Sequence, residues 1–231
     1  MEELSRTALL LGNEQIEKLN KKKVIVFGIG GVGGHACEAL ARTGIGQIDI
    51  VDSDVVSLSN INRQVIALHS TVGRKKVDVM KERIYDINSQ IVVNTYDKFV
   101  TPENLSEFDL CKYDYIIDAI DTVSSKIALA EICSNANINI ISSMGAGNKL
   151  NPCLFKVADI YKTSVCPLAK AVRTALKKRG VKKLKVVYSE EEPVVKFNLG
   201  EEGKRVPASC AFVPSVVGLI IASEVVKDLI K

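Results

Sequence analysis

A chain of 231 residues, 47% hydrophobic and 25% charged, is long enough to bury the core of a large globular domain. Its formal net charge of +4 is too small to indicate a nucleic-acid-binding protein by itself. Six cysteines without a C-x-x-C pair argue against a disulfide scaffold, and the longest apolar run, 211–222, is too short and too interrupted by Pro and Gly to span a bilayer. We expect a soluble, cytoplasmic protein that has no contact with membranes.

Short apolar runs rich in β-branched residues alternate with segments of helical periodicity. The predicted strands are 23–28, 47–52, 90–96, 114–119, 138–143, 153–159 and 184–190, and the predicted helices include 32–43, 73–87 and 124–136. The first five strands are almost continuously apolar, which is typical of a parallel sheet covered on both faces. The sequence therefore predicts an α/β protein with a Rossmann-like, doubly wound, mostly parallel sheet and a C-terminal antiparallel extension, in one domain over 1–231.

The first strand is followed by a glycine-rich loop, GIGGVG (28–33), that opens a predicted helix. Gly28 and Gly30 let the backbone turn and approach a phosphate, and Gly33 lets the helix pack closely on the sheet. Asp52 ends the second strand, where an acidic residue can hold a ribose hydroxyl. The loop indicates an adenine nucleotide without specifying which, and a purely structural glycine turn is the alternative.

The stretch DSDVVSLSNINRQ (52–64) supplies more polar residues than a dinucleotide needs. Asn60, Arg63 and Lys76 follow Asp52, and the predicted fold brings them to the same end of the sheet. A triphosphate needs cationic side chains to offset its charge, whereas a pyrophosphate is usually satisfied by loop amides. The pattern favours a triphosphate, although solvated surface charge is the alternative for Arg63 or Lys76 alone.

In DAIDT (118–122), a predicted strand ends at Asp118, and Asp121 follows in the next loop. A carboxylate at the carboxyl end of a strand, opposite a triphosphate, is a common ligand of Mg²⁺. Asp121 could instead cap helix 124–136, which Thr122 or Ser124 could also do.

At these separations, GIGGVG, DSDVVSLSNINRQ, GRKKVD and DAIDT resemble the nucleotide site of ubiquitin-activating-type, ThiF-like adenylating enzymes. The resemblance implies an ATP site mainly within 5–145, in which Asp52 binds the ribose, Asn60, Arg63 and Lys76 hold the phosphates, and Asp121 binds Mg²⁺. It also places Gly31 and Gln64 at the ATP, and it makes Arg6, Arg63, Lys76 and Asp121 catalytic. Arg6 resembles an arginine that reaches the partner's ATP across a homodimer interface, so the resemblance implies a homodimer.

The C-terminal part, 146–231, resembles that of the bacterial tRNA threonylcarbamoyladenosine dehydratases, in the segment SVCPLAKAVRTALKKRGVKKLKVVYSEEEPV (164–194). This resemblance implies ATP-dependent dehydration, by carboxylate adenylation, of N6-threonylcarbamoyladenosine next to the tRNA anticodon. The two C-x-x-C pairs usual in sulfur-carrier adenylyltransferases are missing, so no zinc is expected. A sulfur-relay or redox partner is left open.

One segment, 156–185, is strongly basic: it holds ten Lys or Arg and a single acid, Asp159. A helix around 168–179 would carry the candidate tRNA contacts, namely Lys170, Arg173, Lys177, Lys178 and Arg179. A basic face of this kind can follow a phosphate backbone. An ordinary solvated helix is the alternative.

Three other functions stay open from the sequence. One is an adenylyltransferase that acts on the C-terminal glycine of a small sulfur-carrier or ubiquitin-like protein. Another is an NAD- or FAD-dependent oxidoreductase, which would leave Arg63, Lys76 and Asp121 without roles. The last is a non-catalytic binding protein.

The charged, glycine-bearing segment 190–207 is predicted to be mobile.

Overall fold

A computed structural model of the protein describes residues 2–195 and 206–231. Its strands are β1 (Lys23–Phe27), β2 (Gln47–Val51), β3 (Thr95–Tyr96), β4 (Tyr115–Asp118), β5 (Ile140–Ser143), β6 (Phe155–Asp159) and β7 (Lys185–Ser189). Its α-helices are α1 (Ser5–Leu11), α2 (Asn13–Leu19), α3 (Gly33–Thr43), α4 (Lys76–Ile87), α5 (Val123–Asn135), α6 (Pro167–Lys178) and α7 (Phe212–Leu229). Part of the segment predicted to be mobile, residues 196–205, lies outside the described residues.

The seven strands form one sheet in the order β3-β2-β1-β4-β5-β7-β6. All neighbours pair in parallel except β6 and β7, which are antiparallel. The chain reverses direction across the sheet after β3, because β4 returns to pair with β1 on its other side. This switch point opens a crevice above the carboxyl ends of β1 and β4, the place where such sheets bind ligands. The predicted doubly wound, mostly parallel fold with an antiparallel extension is confirmed.

Helices cover both faces of the sheet. On one face, α3, α4 and α7 bury side chains from β1 and β2 such as Val24, Val26 and Ile48. On the other face, α5 packs over Ile25, Phe27 and Ile116, and α6 covers the β7 end of the sheet. Burial on both faces explains why the parallel strands are almost continuously apolar. No helix of the part that the structure describes is both long enough and apolar enough to cross a membrane.

Two predicted elements are shorter by three or more residues in the structure. The strand predicted at 90–96 is regular only at Thr95–Tyr96. The residues before it still pair with β2, because Ile48 N–H donates to Val92 O and Ile50 N–H donates to Asn94 O. The helix predicted from 73 begins at Lys76, because Gly73 has φ of +85° and residue 75 forms a β-bridge with Val55. This bridge holds the start of α4 against the loop that follows β2.

Candidate active site

The glycine-rich loop 28–33 joins β1 to α3 at the carboxyl edge of the sheet. Gly28 has φ of +89°, and a Cβ there would lie 2.6 Å from the main-chain oxygen of Ala119. A Cβ on Gly33 would lie 1.8 Å from the carbonyl oxygen of Gly28. Side chains are therefore excluded at both positions. The loop lies close against the segment after β4 and points the N-terminus of α3 at the crevice, where an anion can bind.

A cavity of about 520 Å³ occupies this crevice, a size in the range of small-molecule sites. Nine of the residues that the sequence predicts for ATP binding line it: Gly28, Gly30, Gly31, Asp52, Asn60, Arg63, Gln64, Lys76 and Asp121. Gly33 lies beneath the loop and does not line the cavity. The loops after β1, β2 and β4 thus bring distant parts of the chain to one site.

Asp52 is fixed at the end of β2 by the backbone. Its Oδ2 accepts a hydrogen bond from Ile29 N–H at 2.6 Å, and its Oδ1 accepts one from Asp54 N–H at 2.8 Å. Burial raises the pKa of Asp52, against the opposing effect of the Lys76 ammonium group. Each carboxylate oxygen has a second lone pair, so Asp52 can still accept a hydrogen bond from a hydroxyl group of a ligand.

Lys76 is the first residue of α4 and has a side chain only 6% exposed. Its Nζ lies 2.6 Å from Asp54 Oδ2 and 3.9 Å from Asp52 Oδ1. A buried cation at the N-terminus of a helix adds its charge to the positive end of the helix dipole. Asp52 and Asp54 offset the charge of Lys76, but only one of its three ammonium hydrogens is donated to Asp54, so the lysine can still donate to an anion in the cavity.

Three polar residues of the loop after β2 face the same space. Asn60 uses its Oδ1 to accept from Ser57 N–H at 3.1 Å, which closes a tight turn. Gln64 is buried, and its Oε1 has no hydrogen-bond partner among residues 2–195 and 206–231. A buried acceptor without a donor is costly, so a ligand that donates a hydrogen bond there would relieve the cost. Arg63 extends along the rim and hydrogen-bonds to Ser59 and Asn62.

Asp121 is exposed at the cavity wall, just after β4. Helix α5 begins at Val123 with Thr122 at its N-cap position, and no side chain makes a capping hydrogen bond there. The carboxylate of Asp121 therefore has no capping role in this structure. Its described contact is a long one of 3.5 Å from Thr122 Oγ1, so the group can bind a ligand.

A buried ion pair beneath Asp121 was not anticipated from the sequence. Lys126 Nζ lies 2.8 Å from Asp118 Oδ2 and 3.2 Å from Ser142 Oγ, and both charged side chains are fully buried. Asp118 Oδ1 also accepts from Ile120 N–H at 3.2 Å, which ties the ion pair to the loop that carries Asp121. The available signal was a lysine inside the otherwise apolar helical run KIALA (126–130).

Two further walls of the cavity were also missed. Lys98, Phe99 and Val100 line one side, after β3. The other side comes from the loop after β5 (Ala146, Gly147), from the segment before α7 (Val206, Pro207, Ser209) and from Pro214 in the first turn of α7. These small and apolar residues match no motif, and only the fold brings them to the nucleotide loop.

Arg6 lies on α1, is exposed, and does not line the cavity of its own chain. On the same short helix, Leu9 and Leu10 are 89% and 83% exposed. Two adjacent leucines left in water on one helix mark a surface that a protein partner could cover.

The candidate tRNA contacts lie on or just after α6, whose Val172 and Leu176 are buried. Arg173 donates to Thr163, and Arg179 pairs with Glu131, so both are tied to the protein. Lys170, Lys177 and Lys178 are exposed and have no ion-pair partner among the described residues. The N-terminal end of α6 lies beside the loop after β5, since a Cβ added at Gly145 would lie 3.8 Å from Cys166 Sγ and 3.9 Å from Leu168 Cβ. A twelve-residue helix is about 18 Å long, so Lys177 and Lys178 lie well away from the cavity.

The model of the ThiF family matches residues 4–231 of the chain. The chain belongs to the ThiF family. It is 46% identical over 243 aligned residues to the tRNA threonylcarbamoyladenosine dehydratase of Bacillus subtilis, with 100% of this chain and 96% of that protein covered. It is 44% identical to the dehydratase of the same name from Escherichia coli, with 74% of this chain and 64% of that protein covered.

Solved structures of this family agree with the fold. The crystal structure of the Escherichia coli tRNA N6-threonylcarbamoyladenosine dehydratase in complex with ATP matches with a TM-score of 0.91 and 36% identity. The match covers 99% of this chain and 93% of that one. The same protein has been crystallised with AMP. The resemblance inferred from the nucleotide motifs and the C-terminal segment is confirmed at the level of the family.

Proposed function

We propose that this protein is an ATP-dependent tRNA threonylcarbamoyladenosine dehydratase, which converts the modified adenosine beside the anticodon to its cyclic form. The observation that carries the proposal is a cavity lined by a glycine loop, three cationic side chains and three carboxylates. The chain that holds it is 46% identical over its whole length to a dehydratase of that name. Carbonyl activation at such a site needs positioning and charge stabilisation rather than a covalent nucleophile.

ATP binds in the cavity with its ribose on Asp52 and its phosphates toward Arg63 and Lys76. The orphaned Gln64 Oε1 supports this assignment, because a nucleotide hydroxyl or amino group can donate to it. The cavity beside Phe99 and Val100 offers the apolar surface that an adenine base requires. Residues 5–145 supply most of the ATP site, and 146–231 supply the acceptor side and one wall.

Asp121 is the residue that would hold Mg²⁺. The described residues contain no group of three or more His, Cys, Asp or Glu that could bind a metal, so no preformed protein cage is present there. That fits a magnesium ion bound by one carboxylate, water and the phosphates of a substrate. When bound, the ion neutralises charge that develops on the phosphates.

The reaction forms a mixed anhydride and then a ring. A threonyl carboxylate oxygen attacks the α-phosphorus of ATP, and the bond to pyrophosphate breaks, with Arg63 and Lys76 offsetting the charge of the leaving group. A nearby nitrogen or oxygen of the modified nucleoside then attacks the acyl carbon, loses its proton, and expels AMP with the former carboxylate oxygen. The products are the cyclic nucleoside, AMP and pyrophosphate, which amounts to loss of water from the nucleoside.

The working form is a homodimer in which Arg6 of one subunit reaches the ATP of its partner. The exposed pair Leu9 and Leu10 supports this proposal, because a dimer interface along α1 would remove both from water. Arg6 lies outside the cavity of its own chain, as an arginine that acts on the partner's ATP must.

The tRNA lies along α6, with its anticodon loop at the cavity and its backbone over Lys170, Lys177 and Lys178. The exposed ammonium groups support contact with phosphates rather than with bases, which predicts a strong salt dependence of binding. The tRNA substrate and six free cysteines support a cytoplasmic location.

The direct test incubates purified protein with ATP, Mg²⁺ and tRNA that carries threonylcarbamoyladenosine, and analyses the nucleosides by mass spectrometry. We expect ATP-dependent appearance of a nucleoside lighter by one water. No conversion, together with pyrophosphate–ATP exchange stimulated by a small carrier protein, would instead establish a sulfur-carrier adenylyltransferase.

The tRNA contacts are tested by a triple change of Lys170, Lys177 and Lys178 to Ala. We expect KM for tRNA to rise, the salt dependence of binding to become shallower, and kcat at saturating tRNA to be preserved. Unchanged tRNA affinity in this variant would remove α6 from the binding surface.

A further inference from the structure

The guanidinium group of Arg63 is held by one of its two terminal nitrogens. Nη1 donates to Ser59 O at 2.8 Å and to Asn62 Oδ1 at 2.8 Å, which uses both of its hydrogens. Nε and Nη2 make no hydrogen bond to any residue that the structure describes. Together these two nitrogens form the flat edge of the guanidinium that binds two oxygens of a phosphate at once.

Asn62 has a second contact that fixes its own position. Its Nδ2 donates to Ser209 O at 3.0 Å, a residue 147 positions further along the chain that lines the same cavity. The neighbouring residue, Ala208, is held by Asn148, because Ala208 N–H donates to Asn148 Oδ1 at 2.7 Å and Asn148 N–H donates to Ala208 O at 2.7 Å. The Asn62 amide thus bridges the arginine and an anchored wall of the cavity.

We propose that Asn62 is a positioning residue that orients the Arg63 guanidinium for the phosphates of ATP and couples it to the acceptor-side wall at Ser209. This inference rests on the proposed function, in which Arg63 binds phosphate. Asn62 itself does not line the cavity, so it acts through Arg63 rather than on the nucleotide.

The physical basis is preorganisation. A long arginine side chain on the surface samples many rotamers, and ordering it when the ligand binds costs free energy. The two hydrogen bonds of Nη1 order the side chain before ATP binds, and they leave Nε and Nη2 available to the phosphates. Loss of one such hydrogen bond to a charged group at a partly exposed site corresponds to a change in affinity of about three- to tenfold.

The test is a double-mutant cycle on nucleotide binding, with Asn62→Ala made in the wild-type protein and in an Arg63→Lys background. Lysine keeps the positive charge but has no guanidinium plane to orient. We expect Asn62→Ala to weaken ATP binding about three- to tenfold in the wild type, and less than about twofold in the Arg63→Lys background, because the two residues act as a unit. AMP lacks the outer phosphates, and its affinity should not change.

Asn139→Ala is the matched control, since Asn139 is also exposed and donates to a main-chain oxygen, that of Asp114, at the opposite end of the sheet. Thermal unfolding midpoints establish that each variant is folded. An equal loss of ATP affinity in both backgrounds, or an equal loss for AMP, overturns the inference. The double-mutant cycle measures nucleotide binding in the absence of tRNA. If the wild-type protein failed to cyclise the modified nucleoside in tRNA, the proposed function would be overturned, but the result of the binding cycle would still be valid.

Discussion

Replacement of Lys126 by Met tests whether the buried ion pair beneath the active site holds the fold together. Lys126 and Asp118 are both fully buried, 2.8 Å apart. Methionine has a similar length and can fill the space, but it leaves the Asp118 carboxylate in the core without its cation. Removal of one partner of a buried ion pair costs about 3–5 kcal/mol.

The hydrogen bonds that remain set the expected value. Asp118 would keep the hydroxyl of Ser142 and the N–H of Ile120 as donors, so we expect the lower end of the range, about 3 kcal/mol. That is a large part of the usual 5–15 kcal/mol of a folded protein. The double variant Lys126→Met, Asp118→Leu removes both charges, so it should be more stable than Lys126→Met alone.

Urea unfolding followed by circular dichroism measures these differences in the free energy of unfolding. The control is Lys22→Met, because Lys22 forms a partly exposed pair with Asp114 at the same distance of 2.8 Å, for which we expect a loss below about 1 kcal/mol. A loss for Lys126→Met as small as that of the control would refute the reasoning, as would a double variant less stable than the single one.

Three further predictions concern turnover and pH. Asp121→Ala should abolish cyclisation while the unfolding midpoint stays within about 2 °C of the wild type, since the residue is exposed and caps no helix. Arg6→Ala should lower activity, and mixing it with Asp121→Ala should restore part of it, because hybrid dimers contain one intact site. Burial opposes ionisation of Asp228, but hydrogen bonds from Lys185, Lys231 and Tyr115 outweigh it and lower its pKa to about 2. The ionised Asp228 carboxylate therefore stabilises the folded protein fully at pH values above the ordinary pKa of an aspartate, and this stabilisation is lost as the pH falls toward 2. The loss of unfolding free energy caused by Asp228→Asn should be largest at neutral pH and should shrink between about pH 5 and pH 2.

Each of these predictions has a contrary outcome. Asp86→Ala, an exposed change on α4, is the control for Asp121→Ala, and equal activity of the two variants would remove Asp121 from the mechanism. If mixed Arg6→Ala and Asp121→Ala proteins are no more active than the separate variants, the arginine does not act in trans. A stability difference for Asp228→Asn that stays constant from pH 7 to pH 2 would show that the ionised carboxylate is not what stabilises the fold.

The sequence was sufficient for the sheet and for most of the nucleotide loop. The parallel strands are apolar on both faces, and Gly28 and Gly33 mark positions where backbone segments approach too closely for a side chain. Local patterns of this kind can be read without the fold. The strand predicted at 90–96 is shorter in the structure, where only Thr95 and Tyr96 form a regular ladder with β2.

The parts that could not be predicted depend on contacts between distant segments. Lys126 meets Asp118 and Ser142 only after β4 and β5 pair in the sheet. Ser209 reaches Asn62 only because α7 packs against α3 and brings its preceding segment to the cavity. Neither contact leaves a periodic signal in the sequence. On α6, the spacing predicts the buried and exposed faces but not the ties of individual arginines to Thr163 and Glu131.

The most direct test of the account follows the oxygen that leaves the substrate. With isotope-labelled oxygen in the threonyl carboxylate of the tRNA, one turnover should transfer a labelled oxygen to the phosphate of AMP, because the carboxylate attacks the α-phosphorus and AMP carries that oxygen away. Label in inorganic phosphate with ADP as the nucleotide product, or no transfer despite cyclisation, would contradict activation by adenylation in this cavity.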